Sequence, residues 1–352
     1  MYYAEQTDLS KVENLLYKCS LSKPEGVDYT AGIYSGSGEL IATGSLKIDE
    51  LKGVAMIQGV AVDPAHQGED LMGKLMTHLL GVAEEKAIFE LYLFTKPEKA
   101  VQFQGLGFRL VASARPYAAL LEWGRFGIDR YLDGLRLTAK SAEADFAASH
   151  GGVEPAAVSA LVMNCNPFTL GHRYLVEQAA ATSDIVYLLV VEEDKSLFSF
   201  KNRFEMVRRG VADLENVVVI PGGRYAVSSL TFPSYFTKEE NLAKAHTAID
   251  AEIFCRHIAP ALRVTRRFLG TEPLSAVTNV YNETLKERLP RAGIEVTELT
   301  RLEKDGQPVS ASRVRALLGE CLKRPAEETL EALRGLLPTS SLEYMLAEVF
   351  HD

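Results

Sequence analysis

The rhythm of apolar and polar positions changes near residue 125. Before it, short apolar runs alternate with turn residues, the pattern of a sheet of short strands. Tyr29-Thr-Ala-Gly-Ile-Tyr34 and Leu40-Ile-Ala-Thr-Gly-Ser-Leu46, joined by Ser35-Gly-Ser-Gly38, predict a hairpin. Val54 to Val62 predicts a third strand ending at Asp63-Pro64, followed by a helix from Leu71 to about Glu85. Strand Glu90–Phe94, a short helix from Glu98 to Gln104 and strand Phe108–Ala112 come next, and Tyr117–Trp123 closes the sheet. Ile128 to Leu135 suits a short amphipathic helix, and the small, polar stretch Ala142–Gly152 reads as a hinge. Beyond it, strand-length apolar runs (158–163, 185–191, 217–220, 266–269, 294–299) alternate with helical periodicity (173–181, 201–214, 242–258, 277–289). That alternation predicts an α/β domain with a Rossmann-like parallel sheet covered on both faces. The expected division is a mixed α/β domain over 1–125, a connector over 126–152 and the parallel-sheet domain over 153–352.

Composition narrows the classes. Of 352 residues, 47% are apolar and 24% charged, as in ordinary soluble proteins, and no apolar run is long enough to span a bilayer. A net charge of −9 argues against general nucleic-acid binding, which needs a basic face. Cys19, Cys165, Cys255 and Cys321 lack metal-ligand spacing and read as reduced thiols, so the expectation is a cytoplasmic protein without a metal site of its own. Cys165 is better read as a small buried residue than as a nucleophile.

The chemistry gathers where strand Val158–Met163 meets the helix after Asn166-Pro-Phe-Thr-Leu-Gly-His172. A helix N-terminus carries free N–H groups and a partial positive charge, so it attracts phosphate. Gly171 would let a phosphate approach the backbone, and His172 would add a donor that can be cationic. Thr169-x-Gly-His172 resembles the (His/Thr)-x-Gly-His signature of the nucleotidyltransferase superfamily, which transfers AMP or CMP from nucleoside triphosphates. Val309-Ser-Ala-Ser-Arg-Val-Arg315 resembles its second signature, with Ser310 at a helix N-cap.

The resemblance implies His172 and Thr169 on the α- and β-phosphates, Lys201 on the triphosphate, and Ser310, Ser312 and Arg315 on the leaving pyrophosphate. Arg203 joins Lys201 at a helix start where cations oppose the dipole, which favours a functional reading. Asn166 and Phe168 shape the adenine and phosphate turn. Gly270, Thr271 and Glu272 lie at a strand's carboxyl end, with Glu272 either a ribose or metal contact or a strand terminator. Tyr225, Ser228, Ser229, Phe232 and Tyr235 lie in a segment suited to a substrate pocket or a lid, and His246 reads as structural.

The first domain resembles the GNAT acetyltransferase fold, through Val60-Ala-Val-Asp-Pro-Ala-His-Gln-Gly68 and Phe103-Gln-Gly-Leu-Gly-Phe108. In that family a (Gln/Arg)-x-x-Gly-x-(Gly/Ala) turn grips the pyrophosphate of acetyl-CoA. Here the matching positions are Gln67, Asp70 and Met72, so a carboxylate replaces glycine and a bulky residue a small one. This departure weighs against ordinary acetyl-CoA binding. It leaves a docking domain or a modified site for a thiol arm, with Gln67, Gly68, Gly73 and Lys74 as its residues.

The fusion of these two parts resembles the citrate lyase ligase family over nearly the whole chain, Phe94-Thr-Lys-Pro97 and Phe268-Leu-Gly-Thr-Glu-Pro273 included. That resemblance implies an acid–thiol ligase using ATP and Mg²⁺. Its substrates are acetate and the acyl-carrier (gamma) subunit of citrate lyase, through its phosphoribosyl-dephospho-CoA arm, with AMP and pyrophosphate as products and no nucleic-acid or membrane partner. Two alternatives stay open: an adenylyltransferase acting on a phosphorylated cofactor precursor, and a non-enzymatic regulator binding nucleotide or acyl-CoA.

Overall fold

The computed structural model describes residues 2–4, 8–192, 196–226, 239–271, 276–304, 306–319 and 322–350. Up to Gly124 the chain lays down one mixed sheet. Its strands are β1 (Tyr2–Ala4), β2 (Tyr29–Tyr34), β3 (Leu40–Asp49), β4 (Val54–Val62), β5 (Glu90–Thr95), β6 (Arg109–Ala114) and β7 (Ala118–Gly124). They run in the order β1-β2-β3-β4-β5-β7-β6, antiparallel except for the parallel pair β4–β5. Three helices accompany them, α1 (Leu9–Lys18), α2 (Leu71–Glu85) and α3 (Ala100–Gln104).

A parallel pair needs a crossover, and α2 supplies it. Leu71, Leu75, Met76, Leu79 and Ala83 recur at helical spacing and bury one stripe of α2 in the core that holds Ile57, Leu91 and Leu93. Three details depart from the sequence reading, the first being β1, whose three residues are too few to show a period. The strand expected to close the sheet lies between β5 and β6, because the β6–β7 hairpin folds its second strand back onto β5. Helix α1 was not anticipated, although Asp8 caps it by accepting the Ser10 N–H at 2.9 Å and Val12, Leu15 and Leu16 are buried at helical spacing.

The stretch expected to hold a short helix and a hinge is one continuous helix, α4 (Gly127–Ser149). Ala142, Ala144, Ala147, Ala148 and Glu143 supply helix propensity through the part that looked merely small and polar. The buried Glu122 carboxylate accepts the Ile128 N–H with both oxygens at 3.1 Å, and Gly151 and Gly152, at φ +65° and +86°, follow its end.

The second sheet is parallel throughout: β8 (Val158–Met163), β9 (Ile185–Val190), β10 (Val217–Pro221), β11 (Arg266–Gly270) and β12 (Glu295–Leu299), in the order β10-β9-β8-β11-β12. Between them run α5 (Leu170–Ala180), α6 (Phe200–Gly210), α7 (Glu239–Ile253), α8 (Ala259–Leu262) and α9 (Ala276–Arg288). A small hairpin, β13 (Glu303–Lys304) and β14 (Gln307–Pro308), leads into α10 (Ala311–Leu318), and α11 (Glu327–Arg334) and α12 (Thr339–Tyr344) follow. Leu330, Leu333, Leu336, Leu342 and Met345 of this last region complete the core that holds Leu161, Phe168, Leu188 and Phe268.

The strand order reverses between β8 and β11, and there the sheet opens. β8 and β11 pair only at Ser159–Arg266 and Ala160–Arg267, so their carboxyl ends part and leave a crevice. Two compact units divide the chain, one of residues 1–130 with 229–252 and the other of 131–228 with 253–352; the boundaries fall inside α4 and before the last residue of α7, which therefore groups with the first unit. Among the described residues no helix is long and apolar enough to cross a membrane.

Candidate active site

The turn after β8 is held from within. Arg203 of α6 is fully buried, and its guanidinium donates to the carbonyl oxygens of Asn164 (2.6 Å), Val191 (2.8 Å) and Phe198 (3.2 Å). The expected phosphate contact by Arg203 gives way to this: the side chain ties the carboxyl ends of β8 and β9 together. Asn166 accepts the Phe198 N–H on its side-chain oxygen at 3.2 Å. Phe168, expected near the adenine, is fully buried and seated on Gly210, where a Cβ would stand 2.5 Å from its ring. Burial raises the pKa of the Cys165 thiol far above its ordinary value, which leaves it a packing residue.

Thr169 and His172 form a reciprocal cap at the start of α5. The Thr169 hydroxyl accepts the His172 N–H at 3.3 Å, and the Thr169 N–H donates to His172 Nδ1 at 3.1 Å. With Nδ1 accepting, the network assigns the ring proton to Nε2. Part of the residue reaches solvent, but protein surrounds most of the ring. Burial, then the Arg301 and Arg315 guanidinium groups, push its pKa down from 6.5 to about 4. His172 is therefore a neutral donor at physiological pH, not a cation. Thr169 is almost fully buried, so its hydroxyl orients His172 rather than facing a ligand.

The free N–H groups expected at this helix start are largely engaged. Leu170 N–H donates to Leu336 O at 2.9 Å, and that of His172 to Thr169. Gly171 serves a different neighbour from the one expected: a Cβ there would overlap the carbonyl oxygen of Val309, so the glycine admits the second signature's backbone. Ser310 caps α10 by accepting the Arg313 N–H at 3.2 Å. Arg315 reaches back from α10, donating to Asn166 O at 2.6 Å and to the exposed Ser312 hydroxyl at 3.1 Å. The two signatures thus meet at one sheet edge.

Other expected residues lie on or near that edge. Lys201 is exposed in the first turn of α6. Gly270 ends β11 against Leu175 of α5, and its carbonyl accepts from Asn282 at 2.9 Å. Thr271 accepts the Arg301 N–H on its hydroxyl at 3.3 Å and Arg301 Nε on its carbonyl at 2.5 Å. Arg301 was missed by sequence reasoning. Its only signal was a cation just beyond the last strand, at the edge where the other phosphate candidates fall. Tyr225, expected in a substrate pocket or lid, is buried with its ring 5.6 Å from that of Tyr131. Ser228, Ser229, Phe232, Tyr235, Glu272 and Cys321 lie outside the described residues. Among the described residues no three His, Cys, Asp or Glu side chains converge as a metal cage.

The first unit has its own cleft. β4 and β5 pair only over Val54–Ile57 and Glu90–Leu93, then separate around a cavity of about 870 Å³. Gln67, Gly68, Asp70 and Gly73 line one side, and Lys96, Lys99 and Phe103 are also in the lining. Lys74 borders a neighbouring depression with Asp70 and Gly73.

Fold and site together define a two-part α/β enzyme, an acetyltransferase-type sheet followed by a nucleotidyltransferase-type parallel sheet. Residues 2–108 match the acetyltransferase (GNAT) family, and residues 158–345 match the citrate lyase ligase C-terminal domain. The chain is 41% identical to citrate (pro-3S)-lyase ligase of Klebsiella pneumoniae, over 84% of this chain and 83% of that protein. It is 34% identical to the Escherichia coli K12 protein of the same name, over 97% and 91%. Phosphopantetheine adenylyltransferase of Corynebacterium glutamicum is 25% identical over 38% of this chain and 84% of that protein. The chain belongs to the citrate lyase ligase family.

Proposed function

We propose that this enzyme activates acetate with ATP and passes the acetyl group to the thiol arm of an acyl-carrier subunit of citrate lyase. An acetate oxygen attacks the α-phosphorus, the bond to the β-phosphate bridge breaks, and pyrophosphate leaves. The arm's sulfur then attacks the acyl carbon of acetyl-adenylate, releasing AMP while the thiol proton passes to solvent. No covalent enzyme nucleophile is needed, so the site's work is positioning and charge stabilisation.

The observation that carries this reading is His172, a neutral Nε2–H donor flanked by Arg301 and Arg315 where the sheet opens. His172 donates to the phosphoryl oxygen that gains charge. Arg301, Arg315, Ser312 and Lys201 face the remaining phosphates, while Thr169, Asn166, Phe168, Gly171, Arg203 and Ser310 hold the shape. Gly270 and Thr271 form the wall on the β11 side. The donor set suits Mg²⁺ carried on the triphosphate oxygens, where it would neutralise charge, rather than a protein cage. We assign residues 1–125 to docking the arm, 126–152 to the connection and 153–352 to adenylate formation. The splayed β4 edge supports arm docking, because unpaired strand peptide groups suit an extended chain of amides.

Acetate-dependent exchange of labelled pyrophosphate into ATP tests the proposal. Exchange that requires acetate and is lost in His172→Ala supports it. No exchange with acetate, with or without carrier, overturns it. The similarity to phosphopantetheine adenylyltransferase favours a second reading, AMP transfer to a phosphorylated cofactor precursor, which would leave a stable adenylylated product instead of free AMP.

A further inference from the structure

The start of α2 carries its own negative charge. Asp70 sits at the N-cap in the left-handed region, φ +54° and ψ +26°, yet its side chain makes no capping hydrogen bond. Its carboxylate instead lies over the first turn, and a Cβ on Gly73 would stand 2.5 Å from Oδ1. Asp70 is exposed and forms no ion pair with any described residue. A helix N-terminus favours anions, but here an anion is already in place. The same cavity is lined by the exposed Lys96 and Lys99, which lie beyond β5 rather than on α2.

We infer that Asp70 determines the ligand class of this cleft: it admits a thiol-ended amide arm but repels a diphosphate from the start of α2. The phosphates of a bound arm then lie toward Lys96 and Lys99. This rests on the proposal that the cleft docks the carrier's arm. Like charges a few ångströms apart in a partly solvated cleft cost on the order of tenfold in affinity.

Calorimetric titration of the full chain with coenzyme A and with pantetheine, in excess ATP and without acetate, tests it. Asp70→Asn keeps a residue that tolerates the left-handed region and removes the charge. It should bind coenzyme A about tenfold more tightly and leave pantetheine unchanged, with Asp70→Gly behaving alike. If both compounds bind and Asp70→Asn leaves the affinity for coenzyme A unchanged, the role of Asp70 is overturned while arm docking stands. If neither compound binds either protein, arm docking fails and this inference fails with it.

Discussion

Each sheet splits between two parallel strands, β4 from β5 in the first unit and β8 from β11 in the second, and a helix begins beside each split. The similarity ends at the helix start. At α5 the N–H groups of Leu170 and His172 are engaged by Leu336 and Thr169, and the proposed charge recognition falls to side chains, a neutral histidine and two arginines. At α2 no side chain caps the helix and a carboxylate lies over it. The shared backbone device therefore specifies no ligand by itself. On the reading proposed above, the side chains at its mouth decide the sign of the charge it accepts.

The comparison is most exposed to failure at His172. Replacing it with alanine should lower acetate-dependent pyrophosphate exchange by about 10²–10³-fold, and a loss below tenfold would remove it from the chemistry. Arg203→Met should lower the free energy of unfolding by about 3 kcal/mol or more, measured in urea, because three carbonyl groups, those of Val191 and Phe198 buried, lose their donor. Gly171→Ala should cost about 1–3 kcal/mol and weaken exchange, since the added methyl pushes Val309 away.

Smaller effects come from pH and from Asp70. His172 titrates near 4 when folded and near 6.5 when unfolded, so the unfolded chain takes the proton first. Its contribution to stability is whole above the unfolded value and is lost as pH falls toward 4. His172→Gln should therefore flatten the dependence of the urea midpoint between those limits, and wild-type exchange should not show a histidine step near pH 6.5. Asp70→Asn should alter stability by less than about 0.5 kcal/mol, as expected for an exposed side chain without a partner among the described residues.

The strands of both sheets apart from β1, and the strand–turn–helix at β8 and α5, were legible from apolar runs and helix-start residues. What the sequence concealed depends on distant partners. Arg203 looked like a phosphate ligand because a cation at a helix start is locally unfavourable, but the carbonyl groups of Asn164 and Val191, from the ends of two strands, and of nearby Phe198 compensate it. Phe168 belongs to the core because Gly210 leaves room for its ring. Arg301 lies outside both signatures and gains its meaning only when Thr271 and His172 are brought beside it. The continuity of α4 was hidden by small residues that are also good helix formers.

The contact of Gly171 with Val309, and of Leu170 with Leu336, bears on how the protein is made. A ribosome completes the β8 turn long before it reaches either partner. A nascent chain stopped before residue 309 would have His172 but neither the backbone that packs on Gly171 nor Arg315. Interrupted synthesis would then yield fragments in which the proposed ATP site is incomplete, its parts meeting only as the last helices emerge.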